Sequence, residues 1–291
     1  ECALQAVTQV ARLDLENNRR DRAAQFLLEG SALPFDTARH RFLLTQAATM
    51  LTEAGNAPAA IEVYQRILER SPDDVDTLEK LDVLLEKQSR SLELLAVRRR
   101  RLELAGGGDL KVQLRLDLAR LGGLLEGSDA RAELLRQNLA DAPGHPESLA
   151  AVQELLEVRG QWTELARILG EQAEYLLTAG DRERAAALFD RMAAICETRL
   201  SDRDRAIDAW TKVAELRTSA ATLDALARLH AKKGDLAQAA HWLLARLEIA
   251  GSEERVSTMI RLARTWLQIG RGDDATQILE NAFEQAPQNA E

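Results

Sequence analysis

The chain has 291 residues and a mass of 32.2 kDa; 46% of it is hydrophobic but only 4% aromatic, and 47 acidic against 38 basic side chains give a net charge of -9. This length suits either two ordinary domains or one extended repeat array, and the predominance of Leu and Ala in the apolar fraction favours helices over strands. The acidity disfavours phosphate-backbone contact. Cys2 and Cys196 are too far apart in the chain for a metal or redox motif, and no run of about 18 apolar residues is present to span a membrane.

The chain opens on Glu1, without Met, directly inside a helical pattern. A segment of a longer polypeptide is expected to look this way, and a cytoplasmic location is expected for it. Only six of the 38 basic residues are Lys, an Arg bias that points to a GC-rich, bacterial coding genome. In residues 41–74, Leu44, Ala47, Ala48 and Leu51 recur at helical spacing, a Gly55-Asn56 break follows, then Ala60, Tyr64 and Pro72. The same classes return 215 residues later as Met259, Leu262, Ala263, Trp266, Ala275, Leu279 and Pro287, with Gly55 landing on Gly270. A shift of 179 gives Leu223, Leu226, Ala227, His230, Gly234, Ala239, Leu243 and Gly251.

Breaks in the pattern place the start of every second helix near residues 21, 57, 90, 129, 161, 203, 235 and 273. The steps between them are alternately long and short and sum in pairs to roughly 70 to 74, so the natural unit is four helices. About eight hairpins, or sixteen helices, are expected, with cap signals at Ser128-Asp129, Gly180-Asp181 and Ser201-Asp202.

This pattern resembles the tetratricopeptide repeat: a large apolar residue, Leu-small and an aromatic in the first helix, then Ala, an aromatic and Pro around the second. The small residues let two helices cross closely, the aromatic fills the gap to a neighbour, and Pro72 ends a helix because it has no N–H to donate. The resemblance implies an all-α, right-handed solenoid over residues 1–291. It is clearest at 41–74, 220–251 and 256–287. A shift of 34 gives a degenerate unit, Leu78, Leu81, Asp82, Leu85, Leu94, Arg98 and Gly106, in which Asp82 replaces the small residue and Arg98 the aromatic.

Nothing in the chain reads as an enzyme or as a site for a cofactor or metal. His40, His145, His230 and His241 have no ligand spacing. Residues 105–109, AGGGD, have neither a preceding strand nor a following Lys-Ser/Thr, so they read as an inter-helix turn. GRGDD at 270–274 reads as a tight turn, and Arg98–Arg101 sweep about 300° of a helix. Arg98 is expected to extend its head group to solvent.

In arrays of the resembled kind, first helices line the groove. Removing packing residues leaves groove stripes of Phe42, Thr45, Thr49 and Thr52; of Asp76, Glu79, Val83 and Glu86; and of Glu147, Ala150, Glu154 and Glu157. Further on come Asp224 and Arg228, then Arg264. The resemblance thus implies a non-catalytic scaffold that binds a protein or peptide segment, basic or polar in the middle of the groove, with no nucleic acid and no membrane insertion. The alternative is a regulatory or substrate-presenting module of a larger signalling or catalytic polypeptide. The Lys and Asn that clamp chaperone tails in some such arrays have no counterpart, since Thr45, Glu79 and Glu154 occupy those positions.

Overall fold

The structure, a computed structural model, describes residues 2–125 and 127–285. Among these residues are sixteen α-helices and no strand. They are α1 (Cys2–Glu16), α2 (Arg20–Ser31), α3 (Thr37–Glu53), α4 (Ala57–Arg70), α5 (Val75–Lys87), α6 (Ser91–Leu104), α7 (Gly108–Leu125), α8 (Ser128–Asp141), α9 (Pro146–Val158), α10 (Trp162–Thr178), α11 (Arg182–Ile195), α12 (Arg203–Leu216), α13 (Ala220–Lys233), α14 (Leu236–Glu248), α15 (Ser252–Ile269) and α16 (Gly272–Gln285). Every even-numbered helix begins within one residue of the start expected from the breaks. Pro287 and the closing residues 286–291 lie outside the described residues.

The starts are chemical. The carboxylates of Asp181 and Asp202 accept from the backbone N–H groups of Arg184 and Arg205, as the cap signals require, and Asp36, Asn56, Asp74, Ser219 and Asp235 do the same for their helices. His145 caps α9 with its ring, Nδ1 accepting from Ser148 N at 3.3 Å. Gly234 and Gly270 close α13 and α15 at φ 89° and 85°, a conformation that disfavours any side chain. Before α12, α11 runs into a π-helical turn, Cys196–Leu200, and leaves it through Ser201 at φ 54°. Burial pushes the Cys196 thiol pKa up.

The helices gather into two compact units, Glu1–Asn138 and Leu139–Glu291. In the first, α1 to α6 pack in sequence around Leu27, Leu43, Leu44, Ile61, Leu81 and Leu85, all essentially fully buried. Helices α1 and α2 approach so closely that a Cβ on Gly30 would meet Val7 Cγ1 at 2.5 Å. In the second, α9 to α16 also pack in sequence; one cluster centres on Phe189 and Leu176, another on Leu262, Met259 and Trp266.

The residues that carry the repeat pattern are where close packing needs them. Ala48 and Ala60, at the α3–α4 crossing, have no exposed surface, and Tyr64 is buried behind them. Ala263, Ala275, Ala227 and Ala239 repeat the arrangement. The fold is a tetratricopeptide-like helical-hairpin repeat. Leu279, at the Tyr64 slot, is instead 40% exposed, with no described helix following α16. The corresponding slot of α6 holds Arg98, and that of α10 and α14 holds Leu169 and Leu243; about one turn further along α10 and α14 stand Gln172 and Arg246, 74 residues apart. Arg98, Gln172 and Arg246 are all more than nine-tenths buried.

Candidate protein-binding cleft on the first helices

A cleft of about 440 Å³ opens in the first unit between α3 and α5. Thr49, Thr52 and Glu53 of α3 form one wall; Asp76, Glu79, Lys80, Val83, Leu84 and Lys87 of α5 form the other, with Tyr64 of α4 at the base. Helical spacing puts Thr45, Thr49 and Thr52 on one stripe. Thr49 donates its hydroxyl proton to Thr45 O at 2.9 Å and Thr52 to Ala48 O at 2.8 Å, so both protons are turned back into the helix. A second cleft of about 320 Å³ shares Thr49 and Glu53 and adds Leu15, Phe42, Thr45, Gln46 and Met50. The Phe42–Thr52 stripe read from the sequence therefore lines both.

The charged residues of the expected site are mostly engaged within the molecule. Asp76 accepts from Lys80 Nζ at 2.7 Å, a bond that raises the Lys80 pKa despite partial desolvation. Glu79 pairs with Arg101 at 3.3 Å, and Glu86, outside the cleft lining, with Arg98 at 2.9 Å. In the second unit, Glu147 and Glu154 are exposed on α9, and Glu157 pairs with Arg191 of α11. Asp224 sits between Arg246 at 3.1 Å and Arg261 at 2.5 Å. Arg228 holds Glu197 through both carboxylate oxygens; this bond keeps the Glu197 carboxyl below the usual carboxylate range. Arg264 is exposed on α15. The structure brings Asp76 and Glu79 together in one cleft and places Glu147, Glu154 and Glu157 along another helix, in the other unit.

Arg98 corrects the sequence reading. Its head does not extend to solvent: it is 8% exposed, with Nε 3.1 Å and Nη2 3.1 Å from Asp82 Oδ1. Arg101 also reaches Asp82. Burial opposes the Arg98 charge, but the hydrogen bonds to Asp82 and Glu86 outweigh it and the Arg98 pKa is raised. The two departures from the repeat pattern, Asp82 and Arg98, thus answer each other across the α5–α6 crossing. Arg246 repeats the device in α14, 2.5 Å from Glu254 and 3.1 Å from Asp224. Gln172 does so without charge, its Oε1 accepting from Gly144 N at 2.6 Å. The signal that could have revealed the first of these pairs was a carboxylate at the small-residue position, Asp82, together with a guanidinium at the aromatic slot, Arg98.

The remaining motifs behave as local structure. His241 packs edge-on against Trp242, and His230 lies 3.5 Å from Asp235. His40 Nδ1 is 2.8 Å from Ser31 O. In GRGDD, Arg271 bonds Asp274 at 2.6 Å and lies over the Trp266 ring. Among the described residues no three His, Cys, Asp or Glu side chains are grouped to hold a metal ion, and no helix is long and apolar enough to cross a membrane.

No family model and no curated protein matches the chain. Among solved structures, a tetratricopeptide repeat protein from Parabacteroides merdae is similar at 14% identity and a TM-score of 0.39, covering 97% of this chain and all of that one. The pilF protein of Pseudomonas aeruginosa is similar at 15% identity and 0.35, covering 76% and 95%. A Naa15/Naa10 complex bound to HypK-THB is similar at 13% and 0.39, covering 98% and 64%. At such identities and TM-scores these likenesses say nothing of activity or partner.

Proposed function

We propose that the chain is a non-catalytic protein-interaction scaffold that seats a segment of a partner protein against its first helices. The observation that carries this reading is the α3–α5 cleft, continuous through Thr49 and Glu53 with the cleft at α1 and walled by rigid packed helices. Side chains fixed in advance lower the ordering cost of binding, and a groove between helices is a common seat for a peptide or helix. The exposed carboxylates on α9 support a separate contact with a basic or polar segment. The second unit has 25 acidic and 18 basic residues, net -7, whereas the first has 22 and 20, net -2.

Val83 and Leu92 provide the test, since both are exposed, on α5 and α6 respectively, and neither change touches the core. A partner captured from source-cell lysate by the full chain is expected to crosslink through Lys80 and Lys87. It is expected to be lost with Val83→Arg and kept with Leu92→Arg. Capture indifferent to Val83→Arg, with crosslinks on other helices, would overturn the reading.

A further inference from the structure

Five charged residues line the α3–α5 cleft, and four of them are ion-paired within the molecule: Glu53 with Arg20 at 3.8 Å, Asp76 with Lys80 at 2.7 Å and Glu79 with Arg101 at 3.3 Å. Lys87 is the one charged lining residue without an ion pair among the described residues. A basic segment entering here would find every carboxylate already beside a cation, Arg20, Lys80 or Arg101, which weakens the attraction for a further positive charge.

The uncharged lining is equally restrictive. Val83 is 51% exposed, Tyr64 and Leu84 form a buried base, and the Thr49 and Thr52 protons point back into α3. No Asn or Gln amide lines this cleft. An extended peptide therefore meets carboxylate and Thr oxygens that accept from its N–H groups but few donors for its C=O groups, and leaving those unpaired on burial is costly. A helix satisfies its own backbone and presents only side chains.

We infer that the occupant of the cleft is an amphipathic helix of the partner protein. Its aliphatic or aromatic side chains, at the i, i+3, i+4 and i+7 spacing, contact Val83 and the threonine methyls, and an acidic residue on its flank meets Lys87. This rests on the reading of the cleft as the binding site, and specifies what enters it.

The test uses the full chain and two phage-displayed peptide libraries. One has a fixed helical Leu/Ile/Met/Phe stripe with randomised flanks, and the other is fully random and Pro-punctuated so that it stays extended. The helical library is expected to enrich on the wild type and not on Val83→Glu, with Asp or Glu selected in one flank. Peptides so selected are expected to bind Lys87→Glu about tenfold more weakly, the scale of one charge-assisted contact, and to recover when their acidic residue becomes Lys. If extended or Lys/Arg-flanked peptides win and Val83→Glu still abolishes them, the occupant is wrong and the site stands. Should neither library enrich, or enrichment survive Val83→Glu, both the site and the occupant fall. Thermal melting of each variant establishes that its fold is intact.

Discussion

Arg98 and Asp82 show how a repeat tolerates losing its pattern. A small residue opposite an aromatic fills a helix crossing by shape; a carboxylate opposite a guanidinium fills it by charge, at a desolvation cost that the attraction must offset. Removing one partner is the severe change. Arg98→Ala strands Asp82, whose side chain is only 5% exposed, and is expected to cost about 3 kcal/mol in urea unfolding, the lower end for a broken buried pair because Arg101 still reaches the carboxylate. The double variant Asp82→Ala/Arg98→Tyr restores the shape-filled crossing and is expected to recover most of that loss. A second residue-scale expectation concerns Glu197. Its folded pKa is depressed by Arg228, so the stabilisation is present above the unfolded carboxylate value, about 4.3, and is lost as pH falls through the lower folded value. In Arg228→Ala this contribution is removed, so melting temperature is expected to be lower above that pH and to fall less steeply on the acid side, read from melting temperature against pH.

At the scale of the helix, the sequence was most legible where one residue does one local job. Caps such as Asp181 and Asp202, and glycine breaks such as Gly234 and Gly270, act within a few residues, so every second-helix start could be placed from them. The seams were less legible, because a buried polar side chain is explained by its partner on another helix. Arg98 taken alone is a solvent-seeking side chain; Asp82, sixteen residues earlier, explains its burial. The crossings themselves are steric and predictable. Ala60→Arg at the α3–α4 crossing is expected to destabilise by at least about 1–3 kcal/mol. Gly30→Ala is expected to lose a similar amount at the α1–α2 approach, where the new methyl collides with Val7.

Across the whole molecule, charge is unevenly shared, and the structure qualifies what charge alone implied. The stripes of carboxylate read from single helices are partly answered by arginines from other helices, including Arg101 on Glu79, Arg191 on Glu157 and Arg246 on Asp224. Such cross-helix pairs could not be seen by reading helices one at a time, and they leave the apolar lining of the α3–α5 cleft more informative than its carboxylates. Reversing Glu147, Glu154 and Glu157 together to Lys is expected to weaken a partner held by the second unit while shifting the melting temperature much less than Ala60→Arg. Equal melting losses would undo the assignment of those residues to a binding face.

The charge-filled crossing at Asp82 and Arg98 also limits how such an array can be rearranged. A hairpin built around Tyr64 and one built around Arg98 close their crossings by different chemistry, so a graft joining the first helix of one to the second helix of the other would orphan either a guanidinium or a carboxylate. Moving both helices of a hairpin together leaves Arg98 beside Asp82 and Arg246 beside Asp224. For recombination, natural or engineered, the safe cut at these seams therefore falls between hairpins and not within one.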